Sequence, residues 1–170
     1  AQVRGLGTLK LNSTKEYVEK YTEEFYLVDL YYRRTLEAYH ELITKENPIE
    51  QTLSDAKRQL DLEYAKITNV LNLEWLTCVG EKGAWFTETG LKRQEDFYKN
   101  ESDTSVKQVV IVCDALRYEV AKELMQELAK EKHIATIDAY QAMLPTETKY
   151  CKPALLPHHL LELNGTDMMV

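Results

Sequence analysis

Asp114 directly follows the apolar run Val109, Val110, Ile111, Val112, Cys113, and Thr148 closes the segment Pro145, Thr146, Glu147, Thr148. A carboxylate is a hard-oxygen ligand for divalent cations. An alcohol attacks a phosphate or sulfate ester once its alkoxide is stabilised. Taken singly, each residue also has an ordinary explanation, Asp114 as a cap after a strand and Thr148 as a first-turn hydroxyl. No glycine lies between Leu91 and Asn164, which excludes a Gly-rich phosphate loop or a dinucleotide fingerprint at either place. The guanidinium of Arg117 suits phosphate oxygens and equally suits an ion pair with Glu119 or a neighbouring Glu. Tyr118 is expected to pack, and Glu147 to favour the start of the helix that follows it. Cys113 and Cys151 flank the two segments and are expected to be core-like thiols.

These groups need elements to hold them. The run at 109–112 reads as a parallel-sheet strand buried on both faces. Residues 117–130 read as an amphipathic helix through Val120, Ala121, Leu124 and Leu128, and residues 134–142 as a second strand. The expected fold is therefore a β-α-β unit with a right-handed crossover. In such sheets ligands bind beyond the carboxyl ends of the strands, so Asp114 and Thr148 are expected at the same edge.

The chain upstream differs in character. All the Phe and Trp residues and eight of the eleven Tyr precede residue 100. Apolar and aromatic side chains recur at Val18, Tyr21, Phe25, Val28, Tyr32, Leu36, Tyr39 and Ile43, drawing one stripe along a helix. Ser13 and Glu16 read as its capping box, and Asn47 with Pro48 as its stop. Leu53, Ala56, Leu60, Tyr64, Ile67 and Leu71 repeat the stripe up to Gly80, predicting an antiparallel helix pair. A shorter helix is expected from about Leu91 to Tyr98. Val18, Phe25, Val28, Leu60, Ile67 and Leu71 are expected to be buried. The stretch with Tyr31, Tyr32, Arg33 and Arg34 is expected to serve helix packing, with a face that docks a partner as the alternative. The domain division expected is a helical region with linker at 1–104 and an α/β part at 105–170.

Composition narrows the class. At 170 residues, 44% hydrophobic and 29% charged, the chain can bury a core and lacks any apolar stretch near the roughly 20 residues that cross a bilayer. A net charge of −7 gives no general attraction to nucleic acid, which would need a local basic patch or bound cations. Cys78, Cys113 and Cys151 are widely spaced, which predicts neither a disulfide framework nor a structural zinc site and makes a reducing cytoplasm the expected location. The start at Ala1 and the end at Val170 suggest a fragment.

Residues 109–119 read VVIVCDALRYE and residues 142–157 read AMLPTETKYCKPALLP. Together they resemble the PglZ domain, a branch of the alkaline phosphatase superfamily. The upstream helices, with Tyr31, Tyr32, Arg33, Gln94, Phe97 and Tyr98, resemble the helical region before that domain in bacteriophage-exclusion (BREX) defence phosphatases. The resemblance implies that Asp114 is the first metal-binding aspartate and that Thr148 is the nucleophile, also touching a metal, with zinc or another divalent pair as cofactor. It further implies a phosphate-ester hydrolase, with other defence proteins as partners and a phosphate ester or nucleic acid as substrate. The superfamily completes its site with Asp and His residues farther downstream. His158 and His159 lack that context and are expected at the surface or at a helix start. The 170-residue chain is therefore expected to bind metal weakly or not at all and to be catalytically silent. A non-catalytic scaffold within the defence complex is the alternative.

Overall fold

The computed structural model describes residues 10–43, 49–80, 89–103, 105–164 and 167–169. Two compact units emerge. One comprises residues 1–89 with Tyr118–Glu123, the other Gly90–Arg117 with Leu124–Val170.

In the first unit the amphipathic stripe folds as α1 (Thr14–Lys20), a π-helical turn (Tyr21–Phe25) and α2 (Tyr26–Ile43), followed by α3 (Glu50–Val79). The expected stop at Asn47 and Pro48 lies outside the described residues. Ser13 Oγ accepts the Glu16 backbone N–H at 3.1 Å, one half of the predicted capping box. The other half shifts by one residue, because Glu16 Oε2 accepts the backbone N–H of Asn12 at 2.8 Å. Partners run in opposite order along the helices. Tyr17 meets Trp75 with ring centroids 5.1 Å apart, Tyr64 donates to Asp29 at 2.6 Å, and Tyr32 donates to Asp61 at 3.0 Å. The pair is antiparallel, as the stripes require.

Tyr32 and Tyr64 stack at 3.8 Å, nearly parallel, with hydroxyls reaching the carboxylates of Asp61 and Asp29, the arrangement that lets Tyr occupy a helix interface. Phe25 and Leu71 are buried, whereas Val18, Val28, Leu60 and Ile67 are only half-buried. Two stripes facing each other cover their centre lines and leave the flanks partly open.

The first residues of α5 (Tyr118–Lys130) pack within this same unit. Tyr118 lies edge-on to Tyr26 at 5.6 Å, and Lys122 sits over both rings, 5.9 Å from Tyr26 and 5.4 Å from Tyr118. Glu119 is wholly buried with Oε1 3.8 Å from Arg33 Nε, and Arg33 and Arg34 both pair with Glu123. Tyr31 stays 60% exposed, so the Tyr-rich stretch divides between packing and surface.

The second unit holds β1 (Lys92–Arg93), a 3-10 turn (Gln94–Asp96), α4 (Phe97–Glu101), the rest of α5, β2 (Tyr140–Gln141), α6 (Thr148–Ala154), β3 (Glu162–Asn164) and β4 (Asp167–Met169). The helix expected at 91–98 is thus a short strand followed by helical turns. β1 pairs with β2 in parallel, Lys92 opposite Tyr140 and Arg93 opposite Gln141. Tyr140 fixes that register. Its ring meets Phe97 at 5.7 Å and the Lys92 ammonium at 5.5 Å, and its hydroxyl donates to Glu101. β3 and β4 form an antiparallel pair.

The expected β-α-β unit is corrected here. Residues 109–112 join no ladder, and β2, the part of 134–142 that is a strand, takes β1 as its neighbour. Val109 and Ile111 are 79% and 80% exposed and Ile134 is fully exposed. A strand buried on both faces requires paired neighbours and a covering layer, and the four apolar side chains of this run stay 49 to 80% exposed. Cys113, expected as a core-like thiol, is exposed for the same reason, while Cys151 is half-buried. Among the described residues no helix is long and apolar enough to cross a membrane.

Candidate active site

Asp114 sits in a turn immediately before α5, and the backbone of Ala115 after it is left-handed, with φ 56°. Ala115 N–H donates to Asp114 Oδ1 at 3.0 Å, so one carboxylate oxygen is tied to its own turn. The other faces α6. Thr148, the first residue of that helix, donates its hydroxyl to Asp114 Oδ2 at 3.0 Å. The two residues singled out in the sequence, 34 positions apart, therefore meet directly without a ladder between 109–112 and 134–142.

Lys152 is the third member, with Nζ 3.2 Å from the same Oδ2. It is not among the residues to which the strand ends point. The signal was present, because residues four apart share a helix face and Thr148 and Lys152 have that spacing. The Lys152 ammonium, and after it the Thr148 hydroxyl, hold the Asp114 carboxyl below the ordinary carboxylate range. Both donate to the charged form and favour it.

Gln94, from the 3-10 turn, braces the segment that carries Thr148. It accepts the Met143 backbone N–H at 3.0 Å and donates to the Cys151 carbonyl at 3.1 Å, bridging both sides of the Pro145-Thr146-Glu147-Thr148 stretch. The Leu144–Pro145 peptide is cis. Burial pushes the Cys151 thiol up, which keeps it a thiol. Lys149 pairs with Glu147 at 3.5 Å and lies 4.7 Å over the Tyr150 ring, so neither Lys149 nor Glu147 is placed here against Asp114. Arg117 is exposed at the N-cap of α5. The His158 ring meets the Leu156 carbonyl at 2.8 Å, and His159 is exposed.

The donor types suit a divalent cation. Asp114 and Thr148 offer adjacent hard oxygens, and Oδ2 already carries a cationic group in Lys152. They do not complete a coordination shell, since among the described residues no three His, Cys, Asp or Glu side chains cluster.

Residues 95–170 match the family model for the BREX system PglZ alkaline phosphatase-like domain. The chain carries part of a PglZ alkaline phosphatase-like domain. A PglZ alkaline phosphatase-like protein of Bacillus cereus (strain H3081.97) is 30% identical over 151 residues, covering 85% of this chain and 17% of that protein. The alkaline phosphatase-like protein BrxZ of Escherichia coli O9:H4 (strain HS) is 38% identical over 79 residues, covering 42% of this chain and 9% of that protein. The chain thus spans less than a fifth of these curated relatives. No solved structure matches it. The PglZ match takes in β2, α6 and the Asp114–Thr148–Lys152 cluster, whereas α1 to α3 lie before it.

Proposed function

We propose that this chain belongs to a metal-dependent phosphate-ester hydrolase of a bacterial phage-defence system, with Thr148 as nucleophile and Asp114 as a metal ligand. The observation that carries the reading is the 3.0 Å hydrogen bond from Thr148 Oγ1 to Asp114 Oδ2. In the reaction Thr148 Oγ1 attacks phosphorus in line, forming a P–O bond as the bond to the leaving oxygen breaks. The hydroxyl proton is taken up by solvent water as the alkoxide forms, and Asp114 stays a carboxylate. Water then cleaves the phosphothreonine, restoring the hydroxyl and releasing phosphate. A divalent ion held by Asp114 and Thr148, zinc in the reading favoured here, would supply positive charge to stabilise the alkoxide. Arg117, at the N-cap of α5, is proposed to bind phosphate oxygens. Further Asp and His ligands, with the layers that cover residues 109–112, are proposed to come from the rest of the PglZ domain. The region 1–104 would be its helical preface, and the protein would work in the cytoplasm beside other defence components.

Hydrolysis of phosphate mono- and diesters by the full-length protein, with and without zinc, tests this. Metal-dependent turnover that falls by at least about 10³-fold in both Thr148→Ala and Asp114→Ala is expected, with none from the 170-residue chain. A fully active Thr148→Ala would remove the nucleophile assignment. The second reading, a non-catalytic scaffold, is favoured by exposed Tyr31, Leu73 and Leu76 on the helical unit. It predicts that phage protection survives both substitutions.

A further inference from the structure

Lys152 has no role in the chemistry proposed above, yet its side chain reaches Asp114 directly. It stands one helical turn beyond Thr148 on α6. Its ammonium is 3.2 Å from Asp114 Oδ2, the same oxygen that accepts the Thr148 hydroxyl. Lys149, the other cation of this helix, is turned to Glu147 and the Tyr150 ring.

We propose that Lys152 is the resident counter-ion of Asp114 and, once a divalent cation takes that carboxylate, a ligand for the anionic oxygens of the phosphate ester. This rests on the phosphatase reading above. The Lys152 and Asp114 side chains are 50% and 56% exposed, and an ion pair of that kind is weak enough to exchange. A dication bound at Oδ2 repels the ammonium from the same oxygen. The displaced group stays tethered through its helix within a turn of Thr148, where the one anion of the reaction arrives. A flexible four-carbon stem bearing a compact charge with three donors is built for such a move, and a lysine serves phosphate as a point charge. Lys152 thus keeps Asp114 and Thr148 together in the metal-free protein and then contacts substrate in the loaded one.

Calorimetry on the full-length protein separates the steps. Zinc is titrated into metal-free wild type, Lys152→Gln and Asp114→Asn; inorganic phosphate is then titrated into the zinc-loaded wild type, Lys152→Gln and Lys152→Arg. Removing the competitor should tighten zinc binding by about two- to fivefold in Lys152→Gln. Phosphate binding should weaken by about tenfold or more, with Lys152→Arg recovering most of it. Unchanged or weaker zinc binding in Lys152→Gln overturns the counter-ion role, and unchanged phosphate binding overturns the substrate contact. Zinc binding in Asp114→Asn indistinguishable from wild type would instead overturn the metal assignment itself, whatever Lys152 does.

Discussion

Phe25 and Leu71 in the helical unit are 5% and 6% exposed, while Val109 and Ile111 in the site-bearing unit are 79% and 80% exposed, although the second pair belongs to the more continuous apolar run. The helical unit carries its own partner. Each stripe meets the other, and Tyr17, Tyr32 and Tyr64 lock the seam with rings and hydroxyls. The run at 109–112 has no such partner among the described residues, and the site beside it is held by point contacts instead, with Thr148, Lys152 and the Ala115 amide on Asp114 and Gln94 on the segment around Thr148. Burial follows from what a segment can meet, not from its hydrophobicity alone.

Substitutions can break this comparison. The largest effect is expected from Phe25→Ala, which should lower the unfolding free energy of the helical unit by about 3 to 5 kcal/mol in urea denaturation. A value near zero would mean that the seam is not a packed core.

Next comes alkaline stability. Burial, with help from Cys78, Asp29 and Glu74, pushes the Tyr17 hydroxyl up from 10.0 to about 12. The folded state then holds a proton that the unfolded chain releases. The stabilisation is complete below pH 10 and lost as the pH rises from 10 to about 12. On the order of 2 kcal/mol should disappear across that window, and Tyr17→Phe should flatten this part of the profile.

Arg33→Met, which withdraws the guanidinium from buried Glu119 and from Glu123, should cost about 1 to 2 kcal/mol. In contrast, Ile111→Ala should change the stability of this chain by less than about 0.5 kcal/mol. A cost like that of Phe25→Ala would show that the run is covered after all and would erase the contrast between the units.

Much of this was legible in the sequence, for reasons that differ by element. The helices are legible because periodicity at three and four residues encodes a face directly, although Val18, Val28, Leu60 and Ile67 on those stripes stay half-buried. Strand-end logic points to Asp114 and Thr148, and they do meet, but a turn and a short helix bring them together rather than a shared strand ladder. The four-residue spacing puts Lys152 on the helix face of Thr148, but its contact with Asp114 is long-range and is not encoded in that spacing. Gln94 was part of the family likeness, but its bracing contacts reach 49 and 57 positions along the chain, a range at which no local pattern predicts a partner. The shifted capping box shows the same limit on a small scale, since Glu16 had two backbone N–H groups within reach and took that of Asn12.

The central claim is that Thr148 forms the bond to phosphorus. The most direct measurement is rapid acid quenching of full-length protein turning over a phosphate ester, followed by peptide mass spectrometry. A phosphoryl group on Thr148, absent in Thr148→Ala and dependent on Asp114, is the predicted result; an adduct on another residue, or full turnover by Thr148→Ala, would contradict it.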